Sequence, residues 1–214
     1  KQAEPASAPE PAPQAEPALP YDPARCVRLV PMVVEAPLTE EFERKLSKDR
    51  PVLIFSDNAK LTKAFQHELD KLGVPSHIMT SQKTRSKNTT IINWDDIADV
   101  EKNLREFAAE NPPVQGLIFL LGCRTSVLDL GVNAHEDMVR YVMPYFLSCK
   151  VFEKALADQN GADTFISVHV THDGAFGYRT EKPFDPFYGA IDGVTQCLRK
   201  DMYELAKTRT KLID

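Results

Sequence analysis

The residues best suited to chemistry are a serine on one predicted strand and a tyrosine at the start of the helix that follows. Ser167 lies within the strand-like run of residues 165–170, and Tyr188 opens a helical segment. In carbonyl reduction, a tyrosine hydroxyl transfers a proton while a hydride moves to carbon, and a lysine four residues later lowers the pKa of the tyrosine. Here that position holds Asp192, and a carboxylate there would raise the pKa. The pattern therefore favours a packing or hydrogen-bonding role for Tyr188.

The turn after residues 51–55 (PVLIF) is the second position where chemistry is expected. It reads Ser56, Asp57, Asn58 and contains no glycine. Alternating α/β folds hold a pyrophosphate against N–H groups at a helix N-terminus, and glycines let the backbone approach closely. Here side chains fill that space, and Asp57 places a negative charge where a phosphate would lie. The turn predicts a Rossmann-like unit that has lost its phosphate loop.

Two other motifs are explained by caps and turns. Asp95 and Asp96 are adjacent, and helix capping is a simpler explanation for them than acid–base pairing. Gly174 and Gly177 follow a predicted strand, but late in the chain rather than at the first strand-to-helix turn. A single pair of glycines at this spacing indicates a turn more strongly than a phosphate site.

Basic residues occur at two predicted loop positions. Arg124 follows an apolar strand at its carboxyl end, where open α/β sheets bind ligands, so it could hold an anion as an alternative to a surface salt bridge. The loop at 81–90 carries Lys83, Arg85 and Lys87. We interpret this loop as solvated surface, and docking of an acidic carrier protein is the alternative.

Cysteines and histidines give no metal signature. His169 and His172 are three residues apart, which is poor spacing for two ligands on one strand face. The scattered cysteines form no C-x-x-C pair and predict buried free thiols. They are Cys26, Cys123, Cys149 and Cys197. From these patterns we assign no catalytic, cofactor-binding or metal-ligating residue to the chain.

The composition indicates an ordinary globular protein. The 214 residues are 43% apolar and 27% charged, with a net charge of -5, which argues against nucleic-acid binding because such domains show clustered basic surfaces. No run approaches the ~18 consecutive apolar residues of a membrane helix. The first residues lack the basic-then-apolar pattern of a signal peptide. We therefore expect a cytoplasmic protein with no membrane partner.

The chain divides into a linker, residues 1–20, and a globular part, residues 21–214. The linker is almost entirely Ala, Pro, Glu and Gln, a composition typical of a semi-stiff spacer. Such a beginning indicates a piece of a longer polypeptide. In the globular part, residues 26–34 predict a strand and residues 39–47 a short amphipathic helix.

Strands then alternate with helices to the end of the chain. Residues 59–72 predict a helix capped by Asp57 or Asn58, with an inner apolar face that includes Leu72 and a stop at Gly73. Asp95 is expected to cap the next helix. Residues 116–121 form an apolar run typical of a central parallel strand. A long helix from 134 to 158 is interrupted by Pro144. We predict an α/β fold with a doubly wound, mainly parallel sheet.

Five stretches of the chain resemble one known subdomain. It is the structural subdomain that precedes the catalytic half of ketoreductases in multidomain polyketide and fatty acid synthases, a truncated, short-chain dehydrogenase-like Rossmann unit. The stretches are 25–31 (RCVRLVP), 116–122 (GLIFLLG), 165–171 (FISVHVT), 187–201 (FYGAIDGVTQCLRKD) and 212–214 (LID). The Ala/Pro/Glu linker is similar to those between tandem carrier domains in polyunsaturated fatty acid synthases.

The resemblance implies a division of labour. The parent domain would reduce a β-ketoacyl group on a carrier protein to β-hydroxyacyl with NADPH, and its glycine turn, serine, tyrosine and lysine would follow residue 214. This chain would bind no cofactor itself. It would support the catalytic ketoreductase subdomain of the same polypeptide, downstream of the acyl carrier domains. Two alternatives stay open: a divergent short-chain reductase that binds a nucleotide directly, and a free-standing ligand- or partner-binding module that uses Arg124 and the 81–90 loop.

Overall fold

The computed structural model describes residues 46–84, 86–123, 136, 138–157, 163–170, 186–201 and 209–213. The described strands are β1 (Val52–Phe55), β2 (Ser76–Thr80), β3 (Thr89–Ile91), β4 (Gly116–Gly122), β5 (Phe165–Val170) and β6 (Arg209–Ile213). The described helices are α1 (Ala59–Lys71), α2 (Ile97–Glu110), α3 (Met143–Ala157) and α4 (Pro186–Asp201), with a π-helical turn at Met138–Val142 leading into α3. None of the described helices is long and apolar enough to cross a membrane.

The six described strands form one parallel sheet in the order β3-β2-β1-β4-β5-β6. This is the strand order of doubly wound dinucleotide-binding folds, so the predicted fold class is confirmed. The order reverses between β1 and β4, and parallel sheets of this type bind ligands beside the carboxyl ends of the strands at that reversal.

The central strand β4 is buried along its whole length, because helices cover both faces of a parallel sheet. The strand begins at Gly116, where a Cβ atom would lie 2.3 Å from the Phe165 ring of β5. Only glycine permits that contact without displacing the ring.

Alternate side chains of the strands enter two separate cores. One core joins Leu53, Phe55 and Phe119 of the sheet to helices α2, α3 and α4, and its helical members include Leu104 and Ile191. The other core lies on the opposite face, where α1 packs. It consists of Val52, Ile54, Leu69, Val74, Ile118, Leu120 and Phe165, with Leu46, Leu61 and Phe65 packed against it.

Helix ends follow the predictions with two differences. Of the two predicted caps for α1, the structure uses Asn58, and Gly73 has a positive φ of 68° that ends the helix. Leu72, predicted to face inward, is 59% exposed because it lies at the C-terminal cap of the helix. The cap of α2 is Asp96 rather than Asp95, since the extended backbone at Asp96 places its carboxylate over the first-turn N–H groups.

The predicted interruption at Pro144 corresponds to a change of helix type. The π-helical turn ends at Val142, and Pro144 is the second residue of α3. Proline has no N–H to donate to the preceding turn, and the change from π-helix to α-helix lies at the same place. The predicted linker, the strand at 26–34 and residues 39–45 of the short amphipathic helix lie outside the described residues. The last two residues of that predicted helix, Leu46 and Ser47, are not helical in the structure.

Candidate functional site

The carboxyl edge of the sheet at the β1–β4 reversal is the position where this fold would hold a ligand. Strand β1 ends at Phe55, and Ser56, Asp57 and Asn58 connect it to α1. These three residues were identified from the sequence as a turn without glycine. Their hydrogen bonds determine whether the edge is open.

Asn58 occupies the N-terminus of α1 with its own side chain. Its Oδ1 accepts hydrogen bonds from the backbone N–H groups of Lys60 and Leu61, at 3.2 and 3.1 Å. The backbone N–H of Asn58 in turn donates to the Ser56 hydroxyl at 3.0 Å. The donors that such a fold offers to a phosphate are therefore already used within the turn.

Asp57 links the ends of three strands through its carboxylate. Oδ1 accepts hydrogen bonds from Thr80 Oγ1 at 3.0 Å, from Ser81 N at 2.8 Å and from Trp94 Nε1 at 3.1 Å. Oδ2 accepts one from Ser81 Oγ at 2.8 Å, and Gln82 Nε2 donates to the Asp57 carbonyl. Thr80 ends β2, and Trp94 follows β3. We call these five residues the Asp57 cluster.

Aromatic rings fill the space beneath this cluster. Trp94 is 1% exposed, and its ring centroid lies 6.4 Å from that of Phe55. Phe55 stacks on Phe119 of β4 at 4.3 Å, and Phe119 meets Tyr145 of α3 at 4.8 Å. The row of rings crosses from the end of β3 to α3 on one face of the sheet, so the β1–β4 reversal is packed from that side.

The residues at this edge do not fit a nicotinamide dinucleotide. Dinucleotide-binding members of the fold keep glycines at the first turn and an acidic side chain further along the chain that holds the ribose. Here Asn58 caps the helix and Asp57 carries negative charge at the turn, and the polar groups that end β2 are bonded to Asp57. A pyrophosphate would have to displace the Asn58 amide and approach a carboxylate.

Ser167 does not form part of a proton-transfer site in the described structure. It lies in the middle of β5, and its hydroxyl is 2.8 Å from His169 Nε2. His169 meets Phe65 of α1 edge-on at 5.0 Å, so the pair lies on the α1 face of the sheet. Tyr188 belongs to α4, which packs on the opposite face, and its side chain lies outside the described residues. The carboxylate of Asp192 accepts from Gln196 Nε2 at 3.4 Å.

A buried tyrosine that the sequence reasoning missed lies between α3 and α4. Tyr145 is 1% exposed, and its hydroxyl is 3.1 Å from Thr195 Oγ1, which donates to the Ile191 carbonyl. Burial raises the pKa of Tyr145 far above its ordinary value, so the phenol stays protonated. This pair joins two helices and does not carry a proton. Its signal in the sequence was only the apolar surroundings of Tyr145.

The remaining candidates do not converge on a site. Lys83 and Lys87 are exposed, and Asp95 forms an ion pair with Arg140 at 3.4 Å. Cys149 is buried, as predicted, whereas Cys197 is exposed because it lies on an outward position of α4. Within the described residues no three His, Cys, Asp or Glu side chains are grouped to hold a metal ion. Several predicted candidates lie outside the described residues: Cys26, Arg85, Arg124, His172, Gly174 and Gly177.

The fold of the chain is that of short-chain dehydrogenases/reductases. It is similar to the aldohexose dehydrogenase of Thermoplasma acidophilum, with a TM-score of 0.59 and 12% identity over 77% of this chain and 65% of that one. It is also similar to an oxidoreductase of the short-chain dehydrogenase/reductase family from Brucella ovis in complex with a partially ordered NAD. There the TM-score is 0.57 and the identity 12%, over 76% of this chain and 81% of that one.

A third similar structure is a multidomain one. It holds the adenylation, ketoreductase and pseudo-Asub parts of a keto acid-selecting nonribosomal peptide synthetase module, with a TM-score of 0.62 and 15% identity. The match covers 83% of this chain and 14% of that one. The chain thus spans less than two thirds of the aldohexose dehydrogenase and a small part of the synthetase module. No family model and no curated protein matches the sequence. These likenesses confirm the predicted fold, and a fold hosts many functions.

Proposed function

We propose that this chain is the non-catalytic scaffold half of a β-ketoacyl reductase domain in a polyketide or polyunsaturated fatty acid synthase. The parent domain reduces β-ketoacyl-carrier protein to β-hydroxyacyl-carrier protein with NADPH, and the cofactor binds in the adjacent catalytic half. The observation that carries the proposal is the Asp57 cluster. It closes the ligand edge of a sheet whose strand order is otherwise that of a dinucleotide-binding fold.

The absence of a proton-transfer arrangement among the described residues supports the same conclusion. Ser167 bonds to His169 on the α1 face, whereas α4 packs on the other face. The residue four positions after Tyr188 is Asp192, whose side chain is bonded to Gln196. Proton transfer to a carbonyl needs a tyrosine with a lowered pKa, and an acidic neighbour has the opposite effect. An enzyme inactivated by mutation at the glycine turn would keep the lysine four residues after the tyrosine, and one inactivated at the lysine would keep the glycine turn. This chain has neither feature.

The similarity to a structure that contains a ketoreductase supports the context of a multidomain synthase. Its match covers 83% of this chain, and the sequence resemblance extends over residues 24–214, which is nearly the whole globular part. In this proposal the chain's partners are the catalytic ketoreductase subdomain of the same polypeptide and the upstream acyl carrier domains. Its task is to bury apolar surface of the catalytic half and to hold that half in place.

Calorimetric titration with NADPH tests the proposal. The 214-residue chain is expected to show no saturable binding, whereas a longer polypeptide that continues through the catalytic half binds NADPH and reduces a β-ketoacyl thioester. One-to-one binding of NADPH by the 214-residue chain would contradict the scaffold role and favour a divergent reductase.

A further inference from the structure

Residues 46–50, the segment that leads into β1, are bonded to the amino edge of the sheet. The N–H of Ser47 donates to Gln115 Oε1 at 2.7 Å, and the Ser47 carbonyl accepts from Gln115 Nε2 at 2.7 Å. The Arg50 carbonyl accepts a further bond from the same amide. Gln115 is fully buried and directly precedes β4. The segment is therefore bonded to the entrance of the central strand. We call residues 46–50 the clasp.

The Arg50 guanidinium extends the contacts of the clasp to the end of helix α3. Its Nη2 donates to the Val114 carbonyl at 2.6 Å and to the Ala155 carbonyl at 2.7 Å, and its Nε donates to the Pro113 carbonyl at 3.1 Å. Ala155 lies in the last turn of α3, which ends at Ala157. One side chain thus joins the clasp to the segment before β4 and to the last turn of a helix.

The last turn of α3 depends on bonds from other parts of the chain. The final four carbonyls of an α-helix have no donor within the helix, and a cation near them is favoured by the helix dipole. In α3 the Ala155 carbonyl accepts from Arg50, and the Leu156 carbonyl accepts from Thr164 Oγ1 at 2.7 Å. The Leu156 side chain is fully buried in the core. The bond to Arg50 therefore helps to hold a core residue at the end of its helix.

The neighbouring helix α2 ends differently. Asn111, the residue that follows it, donates to the Phe107 carbonyl through its backbone N–H at 3.1 Å and through its side-chain Nδ2 at 3.0 Å. The end of α2 is thus bonded to the next residue in the sequence, whereas the end of α3 accepts from Arg50, 105 residues away. In the bonds that the structure describes, the end of α3 is tied to the segment before the sheet and the end of α2 is not.

We propose that the clasp and the last turn of α3 open and close as one unit, and that this unit opens while the sheet stays folded. The clasp has one apolar residue, Leu46, and its Lys48 and Asp49 are exposed. Segments with few buried apolar side chains are the ones that open locally at low cost in free energy. Opening would leave the strands paired, because β1 begins only at Val52.

Such a unit is a conformational device between the start of the sheet and one of its helices. A force or a partner that acts on the chain before residue 46 would reach α3 through Arg50 before it reached β1. Coupling between two segments is reciprocal, so a change in either the clasp or the helix end should loosen the other. This inference does not depend on the proposed role in a reductase.

Hydrogen–deuterium exchange of the full 214-residue chain, followed by peptide mass, tests the coupling from the clasp to the helix. Arg50→Met keeps an unbranched side chain and removes the guanidinium. It should accelerate exchange in residues 153–157 at least about tenfold, which corresponds to about 1.4 kcal/mol of opening free energy. Exchange in residues 106–110, at the end of α2, should stay unchanged. Lys48→Met, at an exposed position of the clasp, is the matched control and should change neither.

The reverse direction separates coupling from a simple loss of bonds. Lys154→Gly places glycine at an exposed position in the last turn of α3, where it costs the helix about 1 kcal/mol. It should accelerate exchange of residues 47–50 about threefold or more, whereas Ala109→Gly, in the last turn of α2, should leave the clasp unchanged.

Three results would overturn the proposal. One is unchanged exchange of the end of α3 in Arg50→Met, and another is unchanged exchange of the clasp in Lys154→Gly. The third is an equal acceleration in β4, because the clasp would then open only together with the whole sheet.

Discussion

At both the amino and the carboxyl edge of the parallel sheet one polar side chain bonds to several groups and closes the edge, whereas a ligand-binding protein of this fold keeps its carboxyl edge open. At the amino edge, the fully buried Gln115 bonds through its amide to the backbone of Ser47 and Arg50. At the carboxyl edge, Asp57 bonds to Thr80, Ser81 and Trp94. In both places one polar side chain joins segments that are far apart in sequence.

The difference between the edges lies in the chemistry of the groups. The amino edge is held by a neutral amide and by the Arg50 guanidinium, which donates to the carbonyls of Pro113, Val114 and Ala155 at 3.1, 2.6 and 2.7 Å. The carboxyl edge is held by a carboxylate that accepts hydrogen bonds. Open α/β sheets bind their ligands at the carboxyl edge. Here the hydrogen bonds of Asp57 make that edge a structural junction at the β1–β4 reversal, which agrees with the scaffold role that we propose.

The amino edge should be the more sensitive to loss of its central residue. Gln115→Leu would remove the three hydrogen bonds that the fully buried Gln115 amide makes with the half-buried backbone of Ser47 and Arg50. Since each unsatisfied buried polar group costs about 1–3 kcal/mol, we expect a loss of about 3 kcal/mol in the free energy of unfolding, measured by urea denaturation. Gln66→Leu, on a half-exposed position of α1, is the matched control and should change stability by less than about 0.5 kcal/mol. Equal effects of the two changes would contradict the assignment.

Loss of the central residue of the carboxyl edge, Asp57, should have the next largest effect on stability. Asp57→Ala removes the acceptor of four hydrogen bonds, and hydrogen bonds to charged groups contribute about 1.5–3 kcal/mol. We expect a loss of about 2 kcal/mol, because the half-buried site lets water replace part of the network. The indole fluorescence should change as well, since the chain has a single tryptophan, Trp94, and its N–H donates to Asp57. An unchanged unfolding midpoint would show that the cluster does not hold the edge.

A pH series separates the two edges from the strands that join them. Gln115, Asp57 and the residues bonded to them include no histidine, whereas β2 contains His77 and β5 contains His169. Burial lowers the pKa of both His77 and His169. His77 also lies 2.9 Å from Thr90 Oγ1 and packs on Phe107. A depressed folded-state pKa means that the native protein binds fewer protons than the unfolded chain. The stability is therefore complete above the ordinary histidine pKa near 6.5 and falls as the pH drops below it.

The measurement is the melting temperature between pH 7.5 and pH 5 for the parent chain and for His77→Gln. The parent should lose stability on acidification, and the variant should lose less of it over the same interval. His67→Gln, at an exposed position of α1, is the matched control against which the slope of His77→Gln is compared. A steeper acid loss in His77→Gln would reverse the sign and contradict the burial argument.

The smallest effect is expected at the helix cap. Asn58→Gly restores the residue type that a phosphate loop uses, and glycine in place of asparagine at an N-cap costs only a few tenths of a kcal/mol. We expect a small drop in the urea midpoint and still no NADPH binding, because Asp57 and its bonds to β2 are unchanged. Gain of NADPH affinity from this single change would show that the cap, and not the Asp57 cluster, excludes the cofactor.

The sheet was predictable because its signals are local. The apolar run of β4, the glycine at the end of α1 and the strand–helix alternation are all read from neighbouring residues. The residue that caps α2 was less predictable. Asp95 and Asp96 are both good N-cap residue types, and Asp96 is the cap because its backbone is extended there.

The edge clusters could not be predicted from spacing, because their partners are distant in sequence. Asp57 meets Ser81 24 residues later and Trp94 37 residues later, and Gln115 meets Ser47 at a separation of 68 residues. The sequence did identify the charge of Asp57 as wrong for a phosphate. Thr80 and Ser81 form a polar pair at the carboxyl end of β2, and this pair was the available sign in the sequence that the Asp57 carboxylate had partners.

The most direct test of the closed carboxyl edge uses Trp94 as the reporter, because its indole N–H donates to Asp57 at the point where a cofactor would enter. The ¹⁵N-labelled 214-residue chain is titrated with NADPH, and the indole resonance is followed by nuclear magnetic resonance. We predict that the resonance stays in place up to millimolar NADPH. A progressive, saturating shift of the indole signal would contradict the account, since it would place the nucleotide at an edge that the Asp57 cluster is said to close.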